Sequence, residues 1–225
     1  MKLIVTRPEQ DAGTLAAALQ ARGHHVISMP LLRIEAKKDV TIPDKPYAAV
    51  LATSANAIRS LATPRDFHHL PLYVVGPQSL AAAKAAGFSN AEAHGGDVSG
   101  LARFVAETLL PRSKPLLYLS GAETSGDLAG SLRKKGFAVE RCIIYDAVPV
   151  ATIDHDALGN ADGVLLYSPR TARIWNDLVP DTVAASMTHF CLSANVAKTL
   201  PQSRRILVAD NPGESAMLAL LDRRT

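Results

Sequence analysis

The sequence is short of cysteine, of aromatic residues and of long apolar runs, and each shortage removes a class of protein. Cys142 and Cys191 are the only cysteines, and both sit in apolar, strand-like stretches. An interior thiol is therefore expected at each, in preference to a disulfide or a metal pair. Such usage fits a reducing compartment, and a cytoplasmic location is expected. No apolar run approaches the ~18 residues of a membrane-spanning helix, so a soluble chain with no membrane partner is expected. The opening MKLIVTRPEQ lacks the basic region, apolar stretch and cleavage site of a secretory signal, and none is expected. Aromatics are only 5% and are not interleaved with basic residues, which excludes a base-stacking platform. The formal charge is +3, too mild for a non-specific nucleic-acid binder. The pairs Lys37-Lys38, Lys134-Lys135 and Arg204-Arg205 read as helix ends or solvated edges. A small anionic substrate stays compatible.

Several catalytic signatures are missing too. No G-x-G-x-x-G follows the first apolar run, and no G-x-x-x-x-G-K-[ST] occurs, which argues against nicotinamide and P-loop nucleotide sites. No His, Cys and acid cluster has metal spacing. The adjacent pairs His24-His25 and His68-His69 read as solvated or packing residues. There is no G-x-S-x-G elbow. Cys142 has no local base beside it and does not read as a nucleophile.

What is present is a repeated strand-then-helix unit. Leu3-Ile4-Val5 predicts a strand, and Leu15 and Leu19, one turn apart, predict a helix over 9–21. Gly23 supplies the helix exit, and His25-Val26-Ile27 starts the next strand. Such a connection demands a helical crossover between parallel strands. The pattern returns as Leu116–Leu119, Leu128, Leu132 and Gly136, leading into Cys142-Ile143-Ile144. Val50 is answered by Val164, and Tyr73–Gly76 by Phe190–Ser193. These correspondences suggest a duplication of about 1–112 and 113–225, although βα units also resemble one another generally. Further helices are expected over 79–86, 100–110, 172–178, 196–200 and 214–221, with a connector at Pro149 and 151–159. About ten short strands, arranged as two parallel sheets of about five, make an α/β protein of two lobes facing one cleft.

In open parallel sheets ligands bind beyond the carboxyl ends of the strands. That rule selects seven short polar loops: Thr6–Pro8, Thr53–Asn56, Gly76–Ser79, Ser120–Thr124, Ser168–Thr171, Ser193–Asn195 and Asn211–Glu214. Each enters a helix, so any single hydroxyl among them serves equally as an N-cap. Together they gather N–H and hydroxyl groups suited to carboxylate or phosphate. Arg7, held by Pro8 after a buried strand, is either a fork for a carboxylate or an ion pair bracing the helix through Glu9 or Asp11. Tyr145, after the Cys142–Ile144 strand, is either a hinge packing residue or a phenol facing the cleft.

Taken in order, these residues resemble the uroporphyrinogen-III synthase family over essentially the whole chain. The resemblance lies in Thr6-Arg7-Pro8, Gly23, Pro30, the Thr53-Ser54-Ala55-Asn56-Ala57 segment and Val75-Gly76. It continues through Leu128, Leu132, Gly136, Val139 and Tyr145 to Ser168-Pro169. It implies two Rossmann-like (flavodoxin-like) α/β domains with parallel sheets, joined by a two-stranded linker. One domain would combine residues 1–33 and 150–225, the other would hold 38–144, and the linkers would be about 34–37 and 145–149. It implies closure of hydroxymethylbilane to uroporphyrinogen III, with inversion of the last ring through a spiro intermediate and loss of water. Neither a metal nor an organic cofactor is implied. A monomer is expected, with transient contact to hydroxymethylbilane synthase.

Carried over by position, the resemblance makes Tyr145 the candidate proton donor to the leaving hydroxyl. Thr53, Ser54, Asn56, Ser168, Ser193 and Asn195 become substrate-binding candidates, as does Arg7. Gly76 matches a glycine that lets the backbone approach closely. Two places depart from the family: glycine is replaced by Ser193 and a hydroxyl-bearing position is Val196, which donates nothing, and the loop after Leu119 is short of the basic residue often seen there. The alternative is a non-catalytic two-lobed clamp for a tetrapyrrole or other small polyanion, which would bind the bilane without accelerating ring closure. A protein that kept only the fold, for structural or interaction purposes, would show no ligand-induced protection.

Overall fold

Apolar runs and helical periodicity become a nearly regular alternation of elements. In chain order these are β1 (Lys2–Val5), α1 (Glu9–Gln20), β2 (His25–Ser28), β3 (Leu32–Ala36), β4 (Ala49–Ala52), α2 (Ala55–Arg59) and β5 (Leu72–Val74). Next come α3 (Gly76–Ala85), β6 (Ala91–Ala93), α4 (Val98–Thr108), β7 (Leu116–Gly121), α5 (Leu128–Lys134), β8 (Val139–Pro149) and β9 (Gly163–Leu166). The chain closes with α6 (Pro169–Leu178), α7 (Asp181–Ala184), β10 (Thr188–Cys191), α8 (Ala194–Ala197), β11 (Arg205–Val208) and α9 (Glu214–Asp222). The structure is a computed structural model that describes residues 1–111, 114–211 and 213–222. Pro212, part of the last of the seven polar loops, and residues 223–225 of the expected first domain lie outside the described residues.

The chain divides into two units, Met1–Arg33 with Val148–Thr225, and Ile34–Ala147. In the first, five parallel strands lie in the order β11-β10-β9-β1-β2. Strand alternation sends Leu3, Val5 and Leu165 to one face, where Leu15, Leu19 and Met217 of α1 and α9 cover them. Ile4, Val164 and Leu166 go to the other face and pack on Trp175 and Val196. Burial on both faces is why these strands read as unbroken apolar runs. In the second unit the order is β3-β8-β7-β4-β5-β6, parallel from β8 to β6. Here Val50, Leu72 and Leu117 form one core layer and Leu51, Tyr73 and Tyr118 the other.

The expected ten strands in two wholly parallel sheets need correction: among the described residues there are eleven, and the second sheet has six. The Lys37 N–H donates to the Ile144 carbonyl at 2.9 Å, and the Val150 N–H to the Leu31 carbonyl at 3.1 Å. These pairings advance in opposite directions, so β3 is an antiparallel edge and the sheet is mixed. Its alternating Leu-Arg-Ile-Glu pattern suits a strand with one solvated face. With β8 it forms the two-stranded linker.

Other boundaries moved for local reasons. The helix expected from 79 starts at Gly76, with Pro77 in the first turn, where its missing N–H is not needed. The helix expected from 100 starts at Val98 because the Asp97 carboxylate accepts the Gly100 N–H at 2.7 Å. Tyr145 lies inside β8, not after a strand end. Arg204, expected at a solvated edge, has a side chain only 2% exposed. It donates to the Asp181 carbonyl at 3.2 Å and pairs with that residue's carboxylate, tying α7 to the start of β11.

The internal repeat has a topological counterpart. When β1, β2, β9, β10 and β11 are replaced by β7, β8, β4, β5 and β6, the first sheet's order becomes β6-β5-β4-β7-β8. That is the order of the parallel strands in the second sheet. Each unit therefore takes its leading βαβ from one half of the sequence and its other three parallel strands from the other half.

Candidate active site

Strand order locates the polar rims. In the first unit the order, counted within the unit, is 2-1-3-4-5, and the connections change direction between β1 and β9. The carboxyl ends flanking such a switch point form the ligand crevice of doubly wound sheets. Thr6, fully buried at the β1 tip, donates its hydroxyl to the Leu165 carbonyl of β9 at 2.7 Å. Arg7 follows. Its Nη1 donates to Glu214 Oε2 at 2.9 Å, and its guanidinium carbon lies 4.9 Å from the centre of the Tyr167 ring. The ion pair shown by the structure thus reaches the last helix. Among the described residues the buried Tyr167 hydroxyl has no hydrogen-bond partner, and burial pushes that phenol well up while the Arg7 charge partly opposes.

Ser168, two residues after β9, caps α6. Its Oγ accepts the Thr171 N–H at 3.1 Å, and Thr171 Oγ1 accepts the Ser168 N–H at 3.2 Å. Ser193 starts α8 at the β10 tip without a side-chain cap, so its hydroxyl is not committed there. Asn195 is exposed. Val196, where the family pattern has a hydroxyl, is 1% exposed and packs in the core. The departure therefore changes a core contact and removes no donor from the rim, which corrects the reading of Val196 as a lost donor.

In the second unit the parallel order counts as 3-2-1-4-5, and the switch point falls between β4 and β7. Thr53, after β4, and Tyr118, in β7, share a hydroxyl–hydroxyl bond of 3.0 Å across it. Burial pushes the Tyr118 phenol up, and the bond to Thr53 partly opposes. Ser54 caps α2 by accepting the Asn56 N–H at 3.2 Å. Asn56 is buried, and its carboxamide oxygen accepts from Arg59 Nη1 at 3.0 Å, so it is tied to its own helix. Gly76 follows β5 with φ +75°, yet a Cβ there would meet nothing within 4 Å among the described residues. The left-handed backbone, not close approach, is what calls for glycine at 76.

Close approach occurs at Gly121 instead. A Cβ on it would stand 2.6 Å from Cζ of Tyr145 and 3.0 Å from its hydroxyl oxygen. The Tyr145 ring thus lies on the backbone at the carboxyl end of β7, 8% exposed. Arg141 of β8 reaches the same end and donates to Ser120 Oγ, Gly121 O and Ala122 O at 2.8, 2.9 and 3.0 Å.

The structure therefore gathers Arg7 and Ser168 at one switch point, with Ser193 and Asn195 at the next strand tip. It places Thr53 and Ser54 at the other switch point, flanked by Gly76 and Tyr145. Sequence reasoning missed Tyr167, Tyr118 and Arg141, and named Gly121 only as part of the Ser120–Thr124 loop. A tyrosine inside an apolar run reads as core, and nothing local ties Arg141 to a loop about twenty residues upstream. The thiols stay interior: burial pushes Cys142 up, and Cys191 up to about 12. Among the described residues no group of three or more His, Cys, Asp or Glu side chains is placed to hold a metal. None of the described helices is long and apolar enough to cross a membrane.

These features define a class: two doubly wound α/β units whose switch points carry hydroxyls, guanidinium groups and phenols in place of a glycine-rich nucleotide loop. Residues 13–219 match the family model described as uroporphyrinogen-III synthase HemD, and the chain belongs to that family. Among solved structures it is similar to the uroporphyrinogen-III synthetase of Helicobacter pylori. There the TM-score is 0.70 at 15% identity, covering 100% of this chain and 99% of that one. It is also similar to a mutant uroporphyrinogen III synthase of Thermus thermophilus, with a TM-score of 0.52 at 14% identity, covering 99% and 98%. At such identities the likeness concerns the fold. A comparison with curated proteins finds no significant match.

Proposed function

We propose that the chain closes hydroxymethylbilane into uroporphyrinogen III with inversion of the fourth ring. The observation that carries this reading, in a chain of this family, is the Tyr145 phenol seated at the carboxyl end of β7. The phenol donates its proton to the terminal hydroxymethyl oxygen, the C–O bond breaks, and water leaves. An azafulvene-like cation remains, and its exocyclic carbon attacks the substituted position of the fourth pyrrole to give a spiro intermediate. The bond from that ring to its former neighbour breaks, and the new cationic carbon closes on the ring's free position. Loss of that position's proton restores the pyrrole and reprotonates the phenolate. Bilane gives product plus one water, so the reaction is a lyase reaction that draws on no electron or group carrier.

Most of the acceleration in this reading comes from holding a flexible chain curled so that its ends meet. The substrate's eight carboxylates are to be met by Arg7, by the hydroxyls and amides of Thr53, Ser54, Asn56, Ser168, Ser193 and Asn195, and by N–H groups at the strand tips, Gly76 included. Because the bilane also closes without an enzyme, to isomer I, hand-over through brief contact with hydroxymethylbilane synthase is expected. The test supplies freshly made hydroxymethylbilane and separates the isomers. Rapid formation of isomer III is the expected result; isomer I alone, at the uncatalysed rate, overturns the proposal.

A further inference from the structure

Arg141 and Tyr145 meet through the backbone of one bulge. Along β7 and β8, Ser120 pairs with Ile143 but Gly121 pairs with Tyr145, so Ile144 is the extra residue. Without the bulge, alternation would send Tyr145 to the face opposite Cys142 and Ile144. With it, all three share one core layer, while Ile143 is left 37% exposed. The bulge therefore turns the phenol onto Gly121.

A bulge at a strand end leaves carbonyls outside the regular ladder, and they need donors. Arg141 supplies them. Its Nε holds Ser120 Oγ, and its Nη2 holds both the Gly121 and Ala122 carbonyls. On the other side the Ala122 N–H donates to the Tyr145 carbonyl at 3.1 Å. The planar guanidinium fork thus fixes the short piece of backbone against which the Tyr145 ring lies. A lysine ammonium has no such fork.

We infer that Arg141 is a positioning residue for the Tyr145 phenol, acting through the Gly121–Ala122 backbone. The inference rests on the proposed role of Tyr145 as proton donor. Loosening the bulge moves the hydroxyl relative to the leaving oxygen, and displacements of about 1 Å cost roughly 10²-fold in rate.

The test is steady-state kinetics on the full chain with hydroxymethylbilane, paired with thermal unfolding of each variant. Arg141→Ala is expected to lower kcat by about tenfold or more with KM within about twofold, the signature of a loss confined to the transition state. Arg141→Lys should recover part of that loss, and Gly121→Ala should lower kcat by pushing the ring aside. The decisive measurement is Arg141→Ala made in a Tyr145→Phe background, where it should lower kcat no further. A rise in KM with kcat unchanged would make Arg141 a substrate-carboxylate ligand and overturn the inference, as would a full, independent loss in the double variant. If Tyr145→Phe impairs turnover while Arg141→Ala does not, only the inference falls. If Tyr145→Phe keeps full turnover, the proton-donor reading falls and takes the inference with it. Should Arg141→Ala not fold, Ser120→Ala removes one of the three bonds and leaves the backbone acceptors. A lower kcat at constant KM then supports the inference, and an unchanged kcat overturns it.

Discussion

The indole N–H of Trp175 donates to Nε2 of His189 at 3.2 Å inside the core of the first unit. An indole nitrogen only donates, so Nε2 must accept, and the neutral ring carries its proton on Nδ1. Burial holds His189 down to about 4, and the nearby Arg204 charge adds to the effect. Protonating it would place a second cation in a fully buried place.

Acid should therefore loosen the first unit. Between pH 6.5 and about 4 the unfolded imidazole takes up a proton that the folded one refuses, so stability falls with pH across that window and levels off below it. The slope is up to ~1.4 kcal/mol per pH unit, for a total of about 3 kcal/mol. Urea midpoints measured from pH 7 to pH 4 should fall more steeply for the unaltered chain than for His189→Gln. Equal slopes would remove His189 as the cause.

Tyr145→Phe keeps the ring on Gly121 and deletes only the hydroxyl. Turnover should drop by about 10²-fold, the usual contribution of a positioned acid, while the unfolding midpoint hardly moves. A variant as fast as the parent would mean that another group protonates the leaving hydroxyl.

Arg7 carries both an ion pair and a ring contact, at 19% side-chain exposure. If its guanidinium also meets a substrate carboxylate, Arg7→Ala should raise KM by about tenfold or more, since hydrogen bonds to charged groups contribute roughly 1.5–3 kcal/mol. A loss of stability with KM unchanged would leave Arg7 as a brace between the β1 tip and α9.

Tyr167→Phe removes a buried hydroxyl that has no partner among the described residues. Because an unsatisfied buried hydroxyl carries an uncompensated desolvation cost of about 1–3 kcal/mol, the variant should be as stable as the parent or more so. A lower urea midpoint would mean that the hydroxyl is in fact satisfied in the folded chain.

Val196→Thr restores the family's hydroxyl at a position that faces the core. Burying that hydroxyl should cost about 1–3 kcal/mol and bring no gain in turnover. A faster variant would place residue 196 on the rim after all.

Much of this is legible in the sequence. The alternation of apolar runs with Leu15/Leu19 and Leu128/Leu132 spacing specifies parallel strands with helical crossovers, because no shorter connection can join them. The loops after the strands are identifiable as helix entries, and Ser54 and Ser168 do cap α2 and α6. Val196 misleads because a four-residue helix has too little periodicity to say which side faces in. The edge strand β3 reads only as linker because Arg33 and Glu35 interrupt its apolar residues.

Local sequence thus determined the elements and the rims on which chemistry can sit. Tertiary structure alone decided which rims are neighbours. It placed β1 beside β9 and β4 beside β7, so that residues about 160 positions apart in the chain, such as Thr6 and Leu165, share one hydrogen bond. It also inserted Ile144 as a bulge, and with it the direction of the Tyr145 phenol. Strand pairing and register follow from burying two faces of each sheet at once, a condition no short stretch of sequence contains.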